Sequence, residues 1–343
     1  MKKLVAAASL ALALALLPLG HSVAHAADYK SEYRLSTVLG PAFPWGKAGE
    51  RWAELVKQKT EGRINIKLYP GTSLVGGDQT REFSAIRQGV IDLAIGSSIN
   101  WSPQVKQLNL FSLPFLTPDE KSLDALIKGP VGKDLFAVLE KQGVVPLAYG
   151  ENGFRELSNS RHPIRTPADL KGMKIRVVGS PIFIDAFSAL GANPTQMSWA
   201  DAQPALATKA VDGQENPLSV FNAAKLHTLG QQHLTLWGYM TDPLIFVVNR
   251  NVWSNWSEAD RKAVREAAEQ AAAENLVAAR KGVSPGDDAL LKDIEKNGVT
   301  ITRLTAEQRK AFKDLTRPVY DKWAETVGKD LVKKAEAAIA AGK

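Results

Sequence analysis

The sequence predicts an α/β protein with two lobes, and three observations lead to that prediction. Segments with strand-like and helix-like hydrophobic patterns alternate along the chain from about residue 33, which is typical of helices layered on a mostly parallel sheet. The length of 343 residues corresponds to about two domains at roughly 150 residues each. With 45% hydrophobic and 23% charged residues, the composition is that of a globular protein, which excludes a collagen-like repeat, a coiled-coil rod and a disordered chain.

The first 26 residues predict a secretory signal peptide. Lys2 and Lys3 supply a positive start, residues 4–19 are apolar, and Ala24 and Ala26 put small residues at −3 and −1 of a cleavage point after about Ala26. The apolar run is shorter than the roughly 20 residues that span a bilayer. We therefore expect a soluble, exported mature chain, located in a bacterial periplasm or outside the cell.

Local patterns place the elements of the first half of the chain. Strands are expected over residues 33–38, 64–68, 91–95 and 144–149. Asp78 is expected to cap a helix that runs to about residue 88. A second helix should start at Thr117, because proline follows it and a capping glutamate stands three residues on.

The same alternation continues in the second half. Strands are expected over residues 173–178 and 244–248, and helices after Thr166, Ser180, Ser198, Ser257 and Leu304. The helix after Ser257 should run to about residue 281, and Pro204 should bend the helix after Ser198. Strands are expected to cross between the lobes near residues 150 and 240.

Several classes of chemistry are absent from the sequence. Without cysteine, disulfides, zinc–thiolate sites, iron–sulfur clusters and a cysteine nucleophile are excluded. The segment 40–47 differs from a phosphate-binding loop in its glycine spacing and in having Ala48 after the lysine. His162, His227 and His233 lack metal-ligand spacing, and basic residues are interspersed with acidic ones. We expect no metal, cofactor or nucleic acid, whereas a pair of glycosidase carboxylates stays open.

Arg176 lies in an otherwise apolar predicted strand. Strand alternation puts it on the same face as Lys174 and opposite Ile175 and Val177. A buried arginine without a partner costs several kcal/mol. Two interpretations remain: an edge-strand or salt-bridged structural arginine, or a guanidinium fork that binds a carboxylate. Residues 211–217, of sequence VDGQENP, similarly allow a plain turn or a functional polar cluster.

These segments give the chain a recognisable family resemblance. The stretches LKGMKIRVVGSPIF (170–183), ALGANPTQMSWADAQPAL (189–206) and AVDGQENP (210–217) resemble the DctP family, the substrate-binding subunits of tripartite ATP-independent periplasmic (TRAP) transporters. LYPGTSLVGGDQ (68–79) and DLAIGSS (92–98) are similar to the first lobe of that family.

The resemblance implies roles for particular residues. Arg176 matches the arginine that clamps the ligand carboxylate, and Asn216 matches an asparagine that contacts the same group. Trp199 occupies the position of an aromatic residue that packs on the ligand, and Arg155 matches a second, assisting arginine. Ser97 stands where sialic-acid-binding members have an acidic residue, which argues against sialic acid as the ligand.

Asp78, in the first-lobe segment, is a further candidate ligand-binding residue. The resemblance also implies a two-lobed periplasmic binding protein of the Venus-flytrap type, with crossing hinge strands and a long bridging helix. One lobe would comprise residues 27–152 and about 242–280, and the other about 153–241 and 281–343.

The implied function is the capture of a small organic acid in the cleft between the lobes and its delivery to the small and large TRAP permease subunits. The protein would be a monomer without catalytic activity or cofactor. A C4-dicarboxylate, a hydroxy or keto acid and a sugar acid all fit one arginine clamp. Two alternatives stay open: an exported α/β enzyme acting on organic acids, and a ligand-sensing subunit of a periplasmic signalling system.

Overall fold

The computed structural model describes residues 29–342, so the predicted signal peptide lies outside the described residues. The strands are β1 (Tyr33–Ser36), β2 (Ile66–Tyr69), β3 (Leu93–Ser97), β4 (Val144–Asn159), β5 (Lys174–Val177), β6 (Asn193–Gln196), β7 (Gly213–Pro217), β8 (His233–Leu236), β9 (Thr241–Asn249) and β10 (Thr300–Arg303). The helices are α1 (Pro44–Lys59), α2 (Glu82–Arg87), α3 (Ser98–Trp101), α4 (Glu120–Lys128), α5 (Pro130–Lys141), α6 (Pro181–Ala189), α7 (Trp199–Ala207), α8 (Leu218–Ala223), α9 (Arg250–Asn255), α10 (Glu258–Arg280), α11 (Ala289–Lys296), α12 (Ala306–Val327) and α13 (Lys329–Ala341).

A two-lobed α/β fold is confirmed, and strand β4 joins its lobes. The sheet order is β2-β1-β3-β9-β4-β7-β5-β6, with β8 also paired to β4 and β10 to β8. The first part of the 16-residue β4 pairs with β9 in the first lobe, which carries β1 to β3. The last part of β4 pairs with β7 and β8 in the second lobe. The expected crossing of a strand near residue 150 is therefore confirmed.

The expectation of mostly parallel pairing is wrong for the centre of the sheet. The outer strands are parallel, as in the β1–β2, β1–β3, β5–β6, β5–β7 and β8–β10 pairs. All pairings of β4, and that of β9 with β3, are antiparallel. These strands return the chain between the lobes, so they run against their neighbours instead of alternating with crossover helices.

Two local predictions also need correction. The turn considered for residues 211–217 is in fact mostly strand β7, and all five residues of that strand are buried. The helix start predicted at Thr117 lies two residues later, because Asp119 caps α4 by accepting a hydrogen bond from the Ser122 N–H at 2.8 Å. The pattern of proline and glutamate was correct for a helix start but did not identify the capping residue.

Helix α10 is the long helix that the sequence predicts after Ser257, and it links the first lobe to the crossing strand. Ser257 caps it, and its early apolar residues share a core with α1 and the first part of the sheet. Near its end, Asn275 Oδ1 accepts a hydrogen bond from the Glu151 N–H of β4 at 2.7 Å. Arg280 then pairs with Glu151 at 2.7 Å and Asp124 at 2.6 Å. The following α11 packs with α8 in the second lobe.

The C-terminal helices pack on elements from both halves of the sequence. Helix α12 contacts α6, and α13 contacts α4 and α5. Phe312 of α12 is buried against Trp237, with ring centroids 5.6 Å apart. The residue bounds of the two lobes stay a prediction.

A buried carboxyl group supports the first lobe next to the cleft. Glu82 at the start of α2 is fully buried and accepts hydrogen bonds from Ser36 Oγ at 2.6 Å and Trp101 Nε1 at 3.0 Å. Burial raises the pKa of Glu82 to about 7, although both hydrogen bonds oppose that change. The folded protein therefore holds this proton more tightly than the unfolded chain, in which the pKa is near 4.5.

We expect Glu82→Gln to stabilise the protein at pH 8 but not at pH 4.5. The stability that comes from the bound proton is fully present below the unfolded pKa and is lost as the pH rises towards 7. The Gln amide keeps both contacts, because the Ser36 hydroxyl can accept as well as donate. The gain in free energy of unfolding at pH 8 should approach about 3 kcal/mol, from 1.36 kcal/mol for each pKa unit.

Urea unfolding of the wild type and the variant at both pH values measures this difference. Glu140→Gln, at an exposed position, is the matched control and should change stability little at either pH. An equal effect of Glu82→Gln at pH 4.5 and pH 8 would contradict this prediction, because it would show that Glu82 has the same pKa in the folded protein and in the unfolded chain.

Candidate functional site

A small cavity lies between the lobes where the crossing strands meet. Its volume is about 20 Å³, which is room for about one water molecule. The two lobes therefore lie close together at this point. The lining residues are Val38, Leu39, Trp45, Gln79 and Asn100 of the first lobe, Asn152, Arg155 and Asp242 of the crossing strands, and Arg176, Val178, Trp199 and Asn216 of the second lobe.

Arg176 places an unpaired guanidinium group on the cavity wall. It lies on β5, where its neighbours Ile175 and Val177 are fully buried in the core, and it is itself only 1% exposed. Its Nε and Nη2 both donate to the Met197 carbonyl, at 3.1 and 2.9 Å. Among residues 29–342, no carboxylate oxygen lies within ion-pair distance of this guanidinium.

The electrostatics of Arg176 favour an anion beside it. Burial lowers the pKa of Arg176 to about 10. The charge of Glu215 opposes this change, and the charge of Arg155 adds to it. The group is still a cation at neutral pH, but it lacks the solvation that water or a direct counter-ion would give. A carboxylate in the cavity would supply that counter-ion.

Arg155 is also buried, but its charge is paired within the protein. Its Nε and Nη2 form a bidentate ion pair with Glu215, with Nη2 at 2.9 Å from Oε1. Its Nη1 lies 3.2 Å from Oδ2 of Asp242. Burial alone would lower the pKa of Arg155, but the carboxylates of Glu215 and Asp242 raise it. The structure thus brings both predicted arginines to one cavity and gives them different environments.

Asn216 lies beside Arg155 on the cavity wall. Its Oδ1 accepts a hydrogen bond from Arg155 Nη2 at 3.2 Å, and its Nδ2 donates to Gln214 Oε1 at 2.5 Å. Strand β7 positions it, because Asn216 is paired with Glu156 of the crossing strand β4.

Trp199 closes the cavity from the second lobe and contacts the first. Ser198 caps α7, so Trp199 is its first residue. The backbone N–H of Trp199 donates to Gln79 Oε1 at 3.0 Å, and Gln79 Nε2 donates to Asn100 Oδ1 at 2.8 Å. The Trp199 ring centroid is 5.8 Å from the Arg176 guanidinium carbon, a cation–π contact that orients both groups.

Ser97 lies outside the cavity lining, behind Asp242. Its hydroxyl caps α3 by accepting hydrogen bonds from the Ile99 and Asn100 N–H groups, and it donates to Asp242 Oδ1 at 2.5 Å. The structure therefore shows it orienting Asp242, and a direct contact with a ligand stays a prediction.

Asp78 also lies outside this cavity, at an outer groove of about 350 Å³ between residues 76–80 and 196–201. It caps the short helix Gln79–Arg81 through the Thr80 N–H at 3.0 Å. Its oxygen therefore satisfies the backbone of the loop that carries Gln79 into the cavity, and its own contact with a ligand is likewise untested.

The sequence analysis missed the groups around Arg155, which are Glu215, Asp242, Asn152 and Tyr239, and the first-lobe wall of the cavity, which includes Trp45, Gln79 and Asn100. Glu215 pairs with Arg155 and accepts a hydrogen bond from the Tyr239 hydroxyl at 3.0 Å. Asn152 donates to Asp242 Oδ2 at 2.8 Å. The available signal was an acidic residue inside the GQENP segment and another two residues before the apolar strand predicted at 244–248.

No helix within residues 29–342 combines the length and the apolar character needed to cross a membrane. No three of the described histidine and acidic side chains are grouped so that they could hold a metal ion.

Comparison with known proteins gives consistent matches over most of the chain. The family model described as bacterial extracellular solute-binding protein, family 7 (DctP), matches residues 35–326. The 2,3-diketo-L-gulonate-binding periplasmic protein YiaO of Escherichia coli is 35% identical over 84% of this chain and 86% of its own length. The C4-dicarboxylate-binding periplasmic protein DctP of Rhodobacter capsulatus is 30% identical over 98% of this chain and 97% of its own length.

Solved structures agree with these sequence matches. A TRAP periplasmic solute-binding protein of Ralstonia eutropha H16, with bound (S)-2-acetolactate, is 68% identical, with a TM-score of 0.90 over 91% of this chain and 99% of that chain. The sugar-acid-binding protein DctPAm of Advenella mimigardefordensis, in complex with galactonate, is 29% identical. Its TM-score is 0.85, over 91% of this chain and 98% of that chain. The chain therefore belongs to the DctP family of bacterial extracellular solute-binding proteins, the periplasmic binding subunits of TRAP transporters.

Proposed function

We propose that this protein binds a small carboxylate between its lobes, with Arg176 as the anion-binding group, and delivers it to the small and large membrane subunits of a TRAP transporter. The observation that carries the proposal is the buried guanidinium of Arg176, which faces the cavity without a carboxylate partner among the described residues. The predicted signal peptide and the periplasmic relatives support action in the periplasm, where the protein would work as a monomer without catalysis.

The cavity geometry supports binding followed by enclosure. The Arg176 fork can form two parallel charge-assisted hydrogen bonds to a carboxylate, which fix its orientation. Trp199 covers the guanidinium, and Trp45, Val38 and Leu39 supply an apolar wall on the other lobe. Exclusion of water lowers the local dielectric constant and strengthens the ion pair.

Opening of the lobes is required for entry, because the cavity of about 20 Å³ is too small for an organic acid. A hinge at the crossing strands would separate the walls, and a ligand that contacts both lobes would favour the closed form. Gln79 and Trp199 already show direct contact across the cleft. The closed surface would then be presented to the permease.

We further propose that the ligand is a short hydroxy or keto carboxylate. The Ralstonia relative that shares 68% of its residues with this chain holds 2-acetolactate, which has one carboxylate, one hydroxyl and one keto oxygen. The polar wall here consists largely of the amides Gln79, Asn100, Asn152 and Asn216, which can bond to such neutral oxygens.

Replacement of Arg176 with methionine should weaken binding of 2-acetolactate by about 100-fold or more, because a buried carboxylate would lose its counter-ion. Isothermal titration calorimetry of protein freed of co-purified ligand measures this effect. Arg165→Met, at an exposed arginine of the same lobe, is the matched control. Wild-type affinity in Arg176→Met would mean that this arginine is structural.

Replacement of Trp199 with alanine should weaken binding by about 1–3 kcal/mol through loss of buried apolar contact. Calorimetry with the same acid gives the change. Trp253→Ala is a suitable control, because Trp253 packs on the first-lobe core and is not among the cavity residues. Equal affinities of the wild type and Trp199→Ala would remove this ring from the ligand contacts.

Native mass spectrometry of protein purified without denaturation provides an independent test of the ligand class. A released monocarboxylic acid with hydroxyl or keto oxygens is the expected result. Turnover of a bound acid during incubation would instead favour an exported enzyme.

A further inference from the structure

The two arginines of the cavity differ in what they can still bind. All three nitrogens of Arg155 are engaged by the protein. Nε and Nη2 contact the Glu215 carboxylate, Nη2 also donates to the Glu215 carbonyl at 2.8 Å, and Nη1 faces Asp242 Oδ2 at 3.2 Å. Arg176 donates only to one backbone carbonyl. The cavity therefore offers one guanidinium fork to a ligand instead of two.

Asp242 is the carboxylate that occupies the cavity side of Arg155. It lines the cavity from β9, whereas Glu215 is fully buried and does not line it. Three donors hold the Asp242 carboxylate: Ser97 Oγ on Oδ1, and Asn152 Nδ2 and Arg155 Nη1 on Oδ2. Burial raises the pKa of Asp242, but the positive charge of Arg155 and the hydrogen bonds from Ser97 and Asn152 oppose that change and favour the ionised form. Its negative charge thus stands where a ligand would approach Arg155.

We propose that Asp242 makes this binding site selective for acids with a single carboxylate. A second ligand carboxylate would find the Arg155 fork already filled and a like charge beside it in a site that excludes water. Like charges in such a position repel each other strongly and weaken binding. This inference rests on the proposed function, because it assumes that Arg176 binds the first carboxylate.

The same geometry assigns a favourable role to neutral oxygens of the ligand. A ligand hydroxyl can donate to Asp242 Oδ1, which accepts only the Ser97 hydroxyl among the described residues. Keto or hydroxyl oxygens can bond to the Asn100 and Asn152 amides on the wall. A monocarboxylate with oxygen substituents therefore satisfies the site, whereas a C4-dicarboxylate does not.

The test compares 2-acetolactate with succinate, an acid of similar size that carries two carboxylates. Calorimetry of the wild type should give a dissociation constant for succinate that is at least about tenfold higher than that for 2-acetolactate. A tenfold ratio corresponds to about 1.4 kcal/mol. In Asp242→Asn, the ratio of the two constants should fall by about tenfold or more. The asparagine can keep the contacts of Asp242, because its Oδ1 can accept from Asn152 and Arg155 while its Nδ2 donates to the Ser97 hydroxyl, which can accept as well as donate.

Asp92→Asn is the matched control. Asp92 is also buried and ion-paired, to Lys30 at 2.5 Å, but it lies outside the cavity. This change adds the same unit of positive charge to the protein and should leave the ratio unchanged. An equal shift in both variants would assign the effect to net charge and overturn the proposed role of Asp242.

The outcomes separate the two proposals. Tight binding of succinate by the wild type, or an unchanged ratio in Asp242→Asn, would overturn the selectivity role and leave the Arg176 clamp intact. The wild-type comparison decides the matter even if the variant does not fold. Binding of neither acid by the wild type would overturn the proposed hydroxy or keto acid ligand, and the selectivity role with it.

Discussion

The ion-pair cluster of Arg155, Glu215 and Asp242 is the interaction on which the site depends. Its members come from β4, β7 and β9, so its ion pairs link the three strands that meet between the lobes. Removing three charges from water is expensive unless every polar atom is satisfied, and here the three nitrogens of Arg155 and both oxygens of Asp242 have partners. Because this cluster uses the charge of Arg155 internally, Arg176 is left as the cation of the cavity.

The crossing strand β4 serves two faces of the molecule because its side chains alternate. Arg155 extends towards the cavity, while the adjacent Glu156 accepts hydrogen bonds from the Trp237 and Gly238 N–H groups at 2.7 and 3.0 Å. Glu151 on the same strand pairs with Arg280 of α10. This one strand therefore contacts the cavity, the segment that leads into β9, and helix α10. If the lobes separate, the backbone angles that change must be those of residues close to this strand.

Local patterns in the sequence predicted that Arg176 lies on a strand, that Trp199 starts a helix and that Ser257 caps another, because each of these features is encoded within a few residues. The Asp242 carboxylate could not be found in this way. Its importance comes from Arg155, which is 87 positions away, and from strand pairing that hydrophobic periodicity does not specify. The same reason explains why β7 was considered as a turn: its buried polar residues carry no alternating pattern, and only pairing with β4 and β5 shows it to be a strand.

The proposed carboxylate ligand accounts for a buried cation that has no counter-ion among the described residues. Without a ligand, Arg176 has one backbone carbonyl and one aromatic face in place of a counter-ion, and this arrangement costs stability. The proposed carboxylate ligand would offset this cost, because the same desolvation that destabilises the isolated charge would strengthen its ion pair. In this proposal, ligand affinity and the cost of burying Arg176 have one origin, which is the burial of this arginine beside another whose charge is already neutralised.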